Sequence, residues 1–462
     1  MDILKLTVSQ GMPLLIGWVL IDHFFRSKSG FCCLEKLSLA YGLGFGCVTL
    51  LMLLLSIFKI SFSLMVVCMP VICAILVIIL LKKRKEHSLV MSDRPFFSKS
   101  PCDSRKFDFL SLALVVFIAG NILLVFLSAM LVDIDMGIWD NWLIWGFKAK
   151  IFFFHDVIPL DMFQKFSVVY GVWDYPQHVP LMETWVMLWL GYWNDQLPRI
   201  IFPLFYTGLC IVFFYSLRRY IPIRFALAGT FYLATLKGLQ TWTINAISEP
   251  VLLYYYVISF LLLCRWMKEE DNRLLVFSSL FCGLAAWTKN EGIVLFICNS
   301  FIVALFLLFG QRKAGPLLDR RFWLYLISGA LIFIPWSIIK LALGLTNSVI
   351  NRDRLQLHYI LSHKDRVVPA VRELGLELVN FQQWNILWIM AFVFIVYTFL
   401  KSKMTGIKYY ILFSIFVQFT TIILLFIVII YPYLILYIDD TMVRLTTVPT
   451  VMALIYCSLA FE

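Results

Sequence analysis

The sequence predicts an all-α protein that crosses a membrane many times, on three observations. Of its 462 residues, 61% are hydrophobic and only 15% are charged, against ~45–50% apolar and ~25% charged in a soluble globular chain. The apolar residues come in continuous runs of helical-span length, not in the alternating pattern of a barrel strand. Short basic loops recur at every second turn between these runs, as cytoplasmic loops do. With a mean hydropathy of +0.88, a soluble enzyme, a disordered chain and a nucleic-acid-binding module are all excluded. No nucleic acid is therefore expected as a partner, although the net charge is +11.

The expected spans, in order, are 6–25, 37–58, 60–81, 109–132, 198–217, 223–240, 249–266, 274–287, 293–309, 322–343, 384–400, 408–431 and 444–460. That is thirteen crossings, each near the length a bilayer requires. The first run lacks a basic n-region and an A-x-A-like site, so it reads as a retained span and not a cleaved signal. Placing loops 26–36, 82–108, 218–224, 265–273, 311–321 and 401–408 inside puts 24 of the 39 Lys and Arg there. The N-terminus then lies outside and the C-terminus inside. This works only if the tryptophan-rich stretch 179–193 does not cross, so it is expected as a re-entrant or juxtamembrane helix near the outer interface.

The chain reads as one integral membrane domain, 1–462. Its parts are an N-terminal four-helix part (1–132), an outer loop with juxtamembrane helices (133–197), central spans (198–343), a second outer loop (344–383) and C-terminal spans (384–462). The 11 cysteines form no C-x-x-C pair, and the six histidines are scattered, so neither a disulfide framework nor a metal site is expected.

The outer segments carry the informative charges. Residues 133–197 hold seven of the 15 tryptophans; Trp139, Trp142 and Trp145 recur every third residue, as on one side of a helix in the headgroup layer. Among the acidic residues there, Asp156, Asp161 and Asp195 read as solvated loop charges. Asp133, Asp135 and Asp140 follow a span directly and precede the tryptophan-rich helix, where carboxylates are costly and often functional. Glu249, Glu291, Asp439 and Asp440 fall at the outer ends of spans. Cations on that side are few: Lys148, Lys289 in a tight turn between spans, and Arg444 opening the last span. Lys289 and Glu291 could be a snorkelling ion pair, or Lys289 could be a cation placed to neutralise a phosphate.

Three stretches carry a family resemblance. They are Trp139-Asp140-Asn141-Trp142 with Trp145, Lys148 and Ala149; Asp174-Tyr175-Pro176 leading to Pro180-Leu181; and Gly283-Leu284-Ala285-Ala286-Trp287-Thr288-Lys289-Asn290-Glu291-Gly292. Together they resemble bacterial integral-membrane glycosyltransferases of the GT-C superfamily, the group of protein O-mannosyltransferases and lipid A aminoarabinose transferases. Ile334-Pro335-Trp336 and Arg444-Leu445 with Pro449 are similar to the same layout. The resemblance runs from about residue 130 to the C-terminus.

What the resemblance implies is a many-span fold with an acidic catalytic residue in its first long outer loop. It implies transfer of a sugar from a polyprenyl-phosphate carrier, held among membrane lipid, to a glycan, lipid or protein acceptor at the outer face of a bacterial cytoplasmic membrane. No cofactor and no metal are expected. Asp140 aligns with the family's loop aspartate, with Asp133 and Asp135 as competitors for the catalytic role. Lys148, Lys289 and Arg444 are the expected phosphate ligands. Asp174, His178, Glu249 and Glu291 are the expected sugar or acceptor contacts. The chain departs from the mannosyltransferases in having no paired Asp-Glu in the first loop and no large soluble insert. A transporter or flippase of lipid-linked sugars is the alternative, but it would place ionisable groups near the bilayer midplane and show internal repeats. A non-catalytic scaffold would show no concentration of charge at one face.

Overall fold

Lipid offers no partner to a backbone N–H or C=O, so apolar runs of this length must satisfy those groups within helices. The computed structural model describes residues 1–25, 30–88, 108–133, 140–163, 172–310, 319–345, 352–401, 404–429 and 434–461. The helices are α1 (Asp2–Phe25), α2 (Cys33–Ile57), α3 (Leu64–Ser88), α4 (Phe109–Leu131), α5 (Gly146–His155), α6 (His178–Leu190), α7 (Ile201–Arg218), α8 (Ile223–Ala234) and α9 (Lys237–Ile244). They continue with α10 (Glu249–Glu269), α11 (Asn272–Thr288), α12 (Glu291–Leu305), α13 (Arg320–Ala342), α14 (Leu357–Ser362), α15 (Val367–Leu378), α16 (Leu387–Leu400), α17 (Gly406–Val428) and α18 (Leu434–Leu459). Among the described residues, ten helices are long and apolar enough to cross a membrane, so the chain is an all-α, multi-pass membrane protein.

Three expected spans form shorter helices. The stretch 274–287 lies in α11, of 17 residues. The stretch 223–240 is split into α8 and α9, because Leu236 is extended. The break is tolerable because the freed Ala234 carbonyl accepts from Tyr206 Oη at 2.6 Å and Gln240 Nε2 at 2.8 Å. The stretch 384–400 begins as α16 only at Leu387, after Asn385 turns the chain at φ 48°.

α10 is the axis of the bundle. Every residue from Glu249 to Trp266 is buried, against α7, α9, α11, α12 and α18. Its 21 residues rise about 30 Å, the thickness of a hydrocarbon core. Consecutive tyrosines bind it to its neighbours: Tyr254 Oη donates to Ser38 O at 2.5 Å and Tyr255 Oη to Gly42 O at 2.8 Å, both on α2. Tyr256 Oη meets Ser414 Oγ on α17 at 3.0 Å.

The N-terminal part is therefore not a separate unit. α2 is largely buried, whereas α3 and α4 leave most of their surface exposed, as lipid-facing helices do. α1 and α2 cross through small residues at i, i+4 spacing, Pro13 with Gly17 and Ala40 with Gly44. A Cβ on Gly17 would lie 1.9 Å from Ala40 O, and one on Gly44 1.7 Å from Pro13 O. Such backbone contact is how helices associate when no hydrophobic force separates them from lipid.

α6, expected as a re-entrant or juxtamembrane helix that does not cross, is a 13-residue helix too short to be counted among the ten spans; it is enclosed by α1, α2 and α5, with Trp185 Nε1 donating to Ser9 O at 2.8 Å. The expected row of tryptophans is corrected. Residues 141–145 form a π-helical turn in which Trp142 faces out, 42% exposed, and Trp145 is fully buried; Trp139 lies outside the described residues.

Gly44→Val should force α1 and α2 apart and lower stability by about 1–3 kcal/mol, read as an earlier thermal aggregation midpoint in detergent. Val48→Ala, a truncation at a buried position of the same helix that adds no atom between helices, should aggregate later than Gly44→Val.

Candidate functional site: a chain of buried ion pairs at one end of α10

α10 begins at Glu249, with Pro250 in the first helical turn, where a missing N–H costs nothing. Lys289 sits just past α11 in extended backbone (φ −153°, ψ 151°). The turn into α12 is tight enough that a Cβ on Gly292 would meet Ala285 O at 2.2 Å, so only glycine fits there. Arg444 projects from α18. Asp140 opens the π-helical turn, which Asn141 fastens by donating from Nδ2 to Ala246 O at 2.9 Å, just before α10.

These elements bring five charges into one row. Arg444 Nη1 pairs with Asp140 Oδ2 and lies 3.9 Å from Glu249 Oε1. Lys289 Nζ meets the same Glu249 Oε1 at 2.9 Å and Glu291 Oε1 at 3.2 Å. Lys289 and Glu249 are almost wholly buried, while Asp140, Arg444 and Glu291 stay part-exposed. Burial works against the Lys289 ammonium, but Glu249 and then Glu291 outweigh it and hold its pKa well above the ordinary lysine value. Burial raises the Asp140 carboxyl, with Arg444 opposing and Glu249 adding to the rise.

A second group adjoins the first through the same turn. Asn290 Nδ2 donates to Asp174 Oδ2 at 2.8 Å, and Lys340 Nζ reaches Asn290 Oδ1 at 3.4 Å. Asp174 is 2% exposed, and burial raises its pKa against the pull of Lys340 and Lys148. Its Oδ1, like Glu291 Oε2, is buried with no hydrogen-bond partner among the described residues. Aromatic rings line this group: Trp145 stacks on Tyr175 at 5.7 Å, and Trp336 Nε1 donates to Asp174 O at 3.4 Å.

Of the residues singled out in the sequence, Asp140, Glu249, Lys289, Glu291 and Arg444 meet directly, with Asp174 beside them. Lys148 does not join the ion pairs. It is fully buried, donates to Val172 O at 2.8 Å, and stands 5.7 and 5.5 Å from the Trp145 and Trp173 rings. Burial pushes its pKa down to about 7, against Asp174. His178 sits in the helix core, away from the ion pairs. Its ring nitrogens meet Thr49 Oγ1 at 2.7 Å and Tyr255 Oη at 3.0 Å, and burial pushes its pKa down to about 3. Asp133 is exposed at the end of α4, outside the row. Asp135 lies outside the described residues, as do the side chains of Asp439 and Asp440.

Lys340 and Asn290 were missed as site residues. Lys340 fell within an apolar run, although a lysine in the last turn of a span is the one signal that could have marked it. Asn290 was visible only as part of the turn. Among the described residues, no group of three or more His, Cys, Asp or Glu is arranged to hold a metal ion. Compared with protein-family models, curated proteins and solved structures, the chain matches none.

Two outcomes test this geometry. Lys289→Met should cost about 3–5 kcal/mol, because it strands the buried Glu249 carboxylate. Adding Glu249→Gln should restore much of that loss in a thermal-unfolding double-mutant cycle. Separately, Lys148 should carry its charge below about pH 7 and lose it above. Tryptophan emission should then shift with a midpoint near 7 in the wild type, and that component should vanish in Lys148→Met.

Proposed function

We propose that this protein is a membrane glycosyltransferase of GT-C type, with about thirteen crossings once the three shorter helices are counted. In this reading it moves a sugar from a polyprenyl-phosphate carrier to an acceptor hydroxyl at the outer face of a bacterial cytoplasmic membrane. The observation that carries the reading is the convergence of Asp140, Arg444, Glu249, Lys289 and Glu291 from separate segments onto one end of α10. The family motifs support it, since they contribute four of these five residues. A transporter would instead need ionisable groups at mid-bilayer, and this row lies at a helix end.

Such a site has the parts the reaction needs. Asp140 takes the proton of the acceptor hydroxyl. The acceptor oxygen bonds to the anomeric carbon as the bond from that carbon to the phosphate oxygen breaks. The polyprenyl phosphate leaves with the electron pair, and Lys289 and Arg444 receive its growing charge. The two events are coupled, because Arg444 is the partner of Asp140. A guanidinium that turns toward phosphate releases the carboxylate that must act as base. Carboxylates nearby also favour the oxocarbenium character that develops on the sugar. Asp174 Oδ1 and Glu291 Oε2, which have no hydrogen-bond partner among the described residues, are the acceptors a sugar hydroxyl would satisfy on entering, and part-exposed Tyr175, backed by the buried Trp145, is the ring beside them.

Membranes containing the protein should consume a polyprenyl-phosphate sugar, and Asp140→Asn should slow this by about 10²–10⁴-fold. Equal turnover in the two would remove Asp140 from the base role. No consumption of any lipid-linked sugar, across a panel of acceptors, would end the enzyme reading.

A further inference from the structure

Glu249 has a role that neither base nor sugar contact describes. One of its atoms, Oε1, takes both cations of the row: Lys289 Nζ at 2.9 Å and Arg444 Nη1 at 3.9 Å. Lys289 and Arg444 thus converge on a single anionic oxygen, as they would on an oxygen of a bound phosphate. Glu249 is itself only 6% exposed and is held at the start of the buried α10, so it cannot turn to solvent. Each cation also keeps an outer carboxylate of its own, Glu291 for Lys289 and Asp140 for Arg444. Three carboxylates therefore already face two cations before any ligand arrives.

We propose that Glu249 is a resident counter-anion that stands in for the substrate phosphate between Lys289 and Arg444. The inference rests on the phosphate-site reading given above. An arriving phosphate must take the two cations from a carboxylate, so binding is an exchange of anions and not a simple gain. The exchange runs in reverse after transfer: as polyprenyl phosphate leaves, Glu249 takes back both cations, and neither is left unpaired in a buried site. Glu249 is in this sense a positioning residue that weakens the hold on phosphate and speeds its release. Glu249→Gln keeps the shape of the side chain, and both cations retain a second carboxylate, so the fold should tolerate it.

The test uses the full-length protein in nanodiscs with farnesyl phosphate as probe, and turnover of a polyprenyl-phosphate sugar as a second readout. Glu249→Gln should bind farnesyl phosphate about tenfold more tightly than wild type, and should lower KM and kcat together because product leaves slowly. Lys289→Gln and Arg444→Gln should each weaken binding. If Glu249→Gln binds equally or more weakly while the two cation variants weaken binding, the counter-anion role is overturned and the phosphate site stands. If none of the three changes binding, the phosphate site fails and the inference falls with it. Should Glu249→Gln not fold, Glu249→Asp draws the carboxylate back by one methylene and should also tighten binding; unchanged or weaker binding there overturns the role equally.

Discussion

The architecture turns on charge buried at the end of a helix that has no exposed face. α10 is enclosed from Glu249 to Trp266, so the carboxylate at its start cannot be hydrated and must be paired within the protein. Lys289 and Arg444 supply that pairing. To do so the α11–α12 turn and the last helix must come to the same point, where Arg444 also meets Asp140 of the π-helical turn. A single electrostatic requirement thereby fixes the relative position of segments up to 304 residues apart, the separation of Asp140 and Arg444.

The opposite end of α10 is locked in a different way. Arg219 grips the buried Glu35 with two nitrogens, at 2.8 and 2.6 Å, while Arg265 pairs with Glu269 and lies over the Phe31 ring. These pairs lie on the side that the loop charges assign to the inside, and Arg219 also donates to Gly30 O. The row at the other end is branched, with shared partners and part-exposed members. Between the two ends, the Tyr254, Tyr255 and Tyr256 hydroxyls bridge to α2 and α17, and near-contact of backbones at Gly17 and Gly44 seats α1 on α2.

The N-terminal helices gain a purpose from this arrangement. They precede the segments that bear the site charges, yet α2 provides the carbonyls that the α10 tyrosines bind and the threonine that holds His178. α1 supplies the carbonyl that holds Trp185. α6, which follows Asp174, is thus braced from the side by helices that bear none of the site charges.

The sequence alone determined the helical class, the place of most hydrophobic segments, and which charges stand beside them. Apolar run length and loop charge are one-dimensional properties, and lipid enforces them directly. Asp140, Glu249, Lys289, Glu291 and Arg444 could be singled out because charge beside an apolar run is costly wherever the run packs. Their pairing could not be read, since nothing local distinguishes Lys289 with Glu291 as a snorkelling pair from Lys289 shared with Glu249. His178 and Lys148 show the same limit. Each looked like a site residue by its neighbours in sequence, and each is claimed by the core, where Thr49 and Tyr255 or the Val172 carbonyl complete its bonds. The break after Ala234 was hidden as well, because its stability comes from Tyr206 and Gln240 and not from a breaker residue in the run. Tertiary structure decided these points because a buried polar group is settled by whichever distant partner satisfies it.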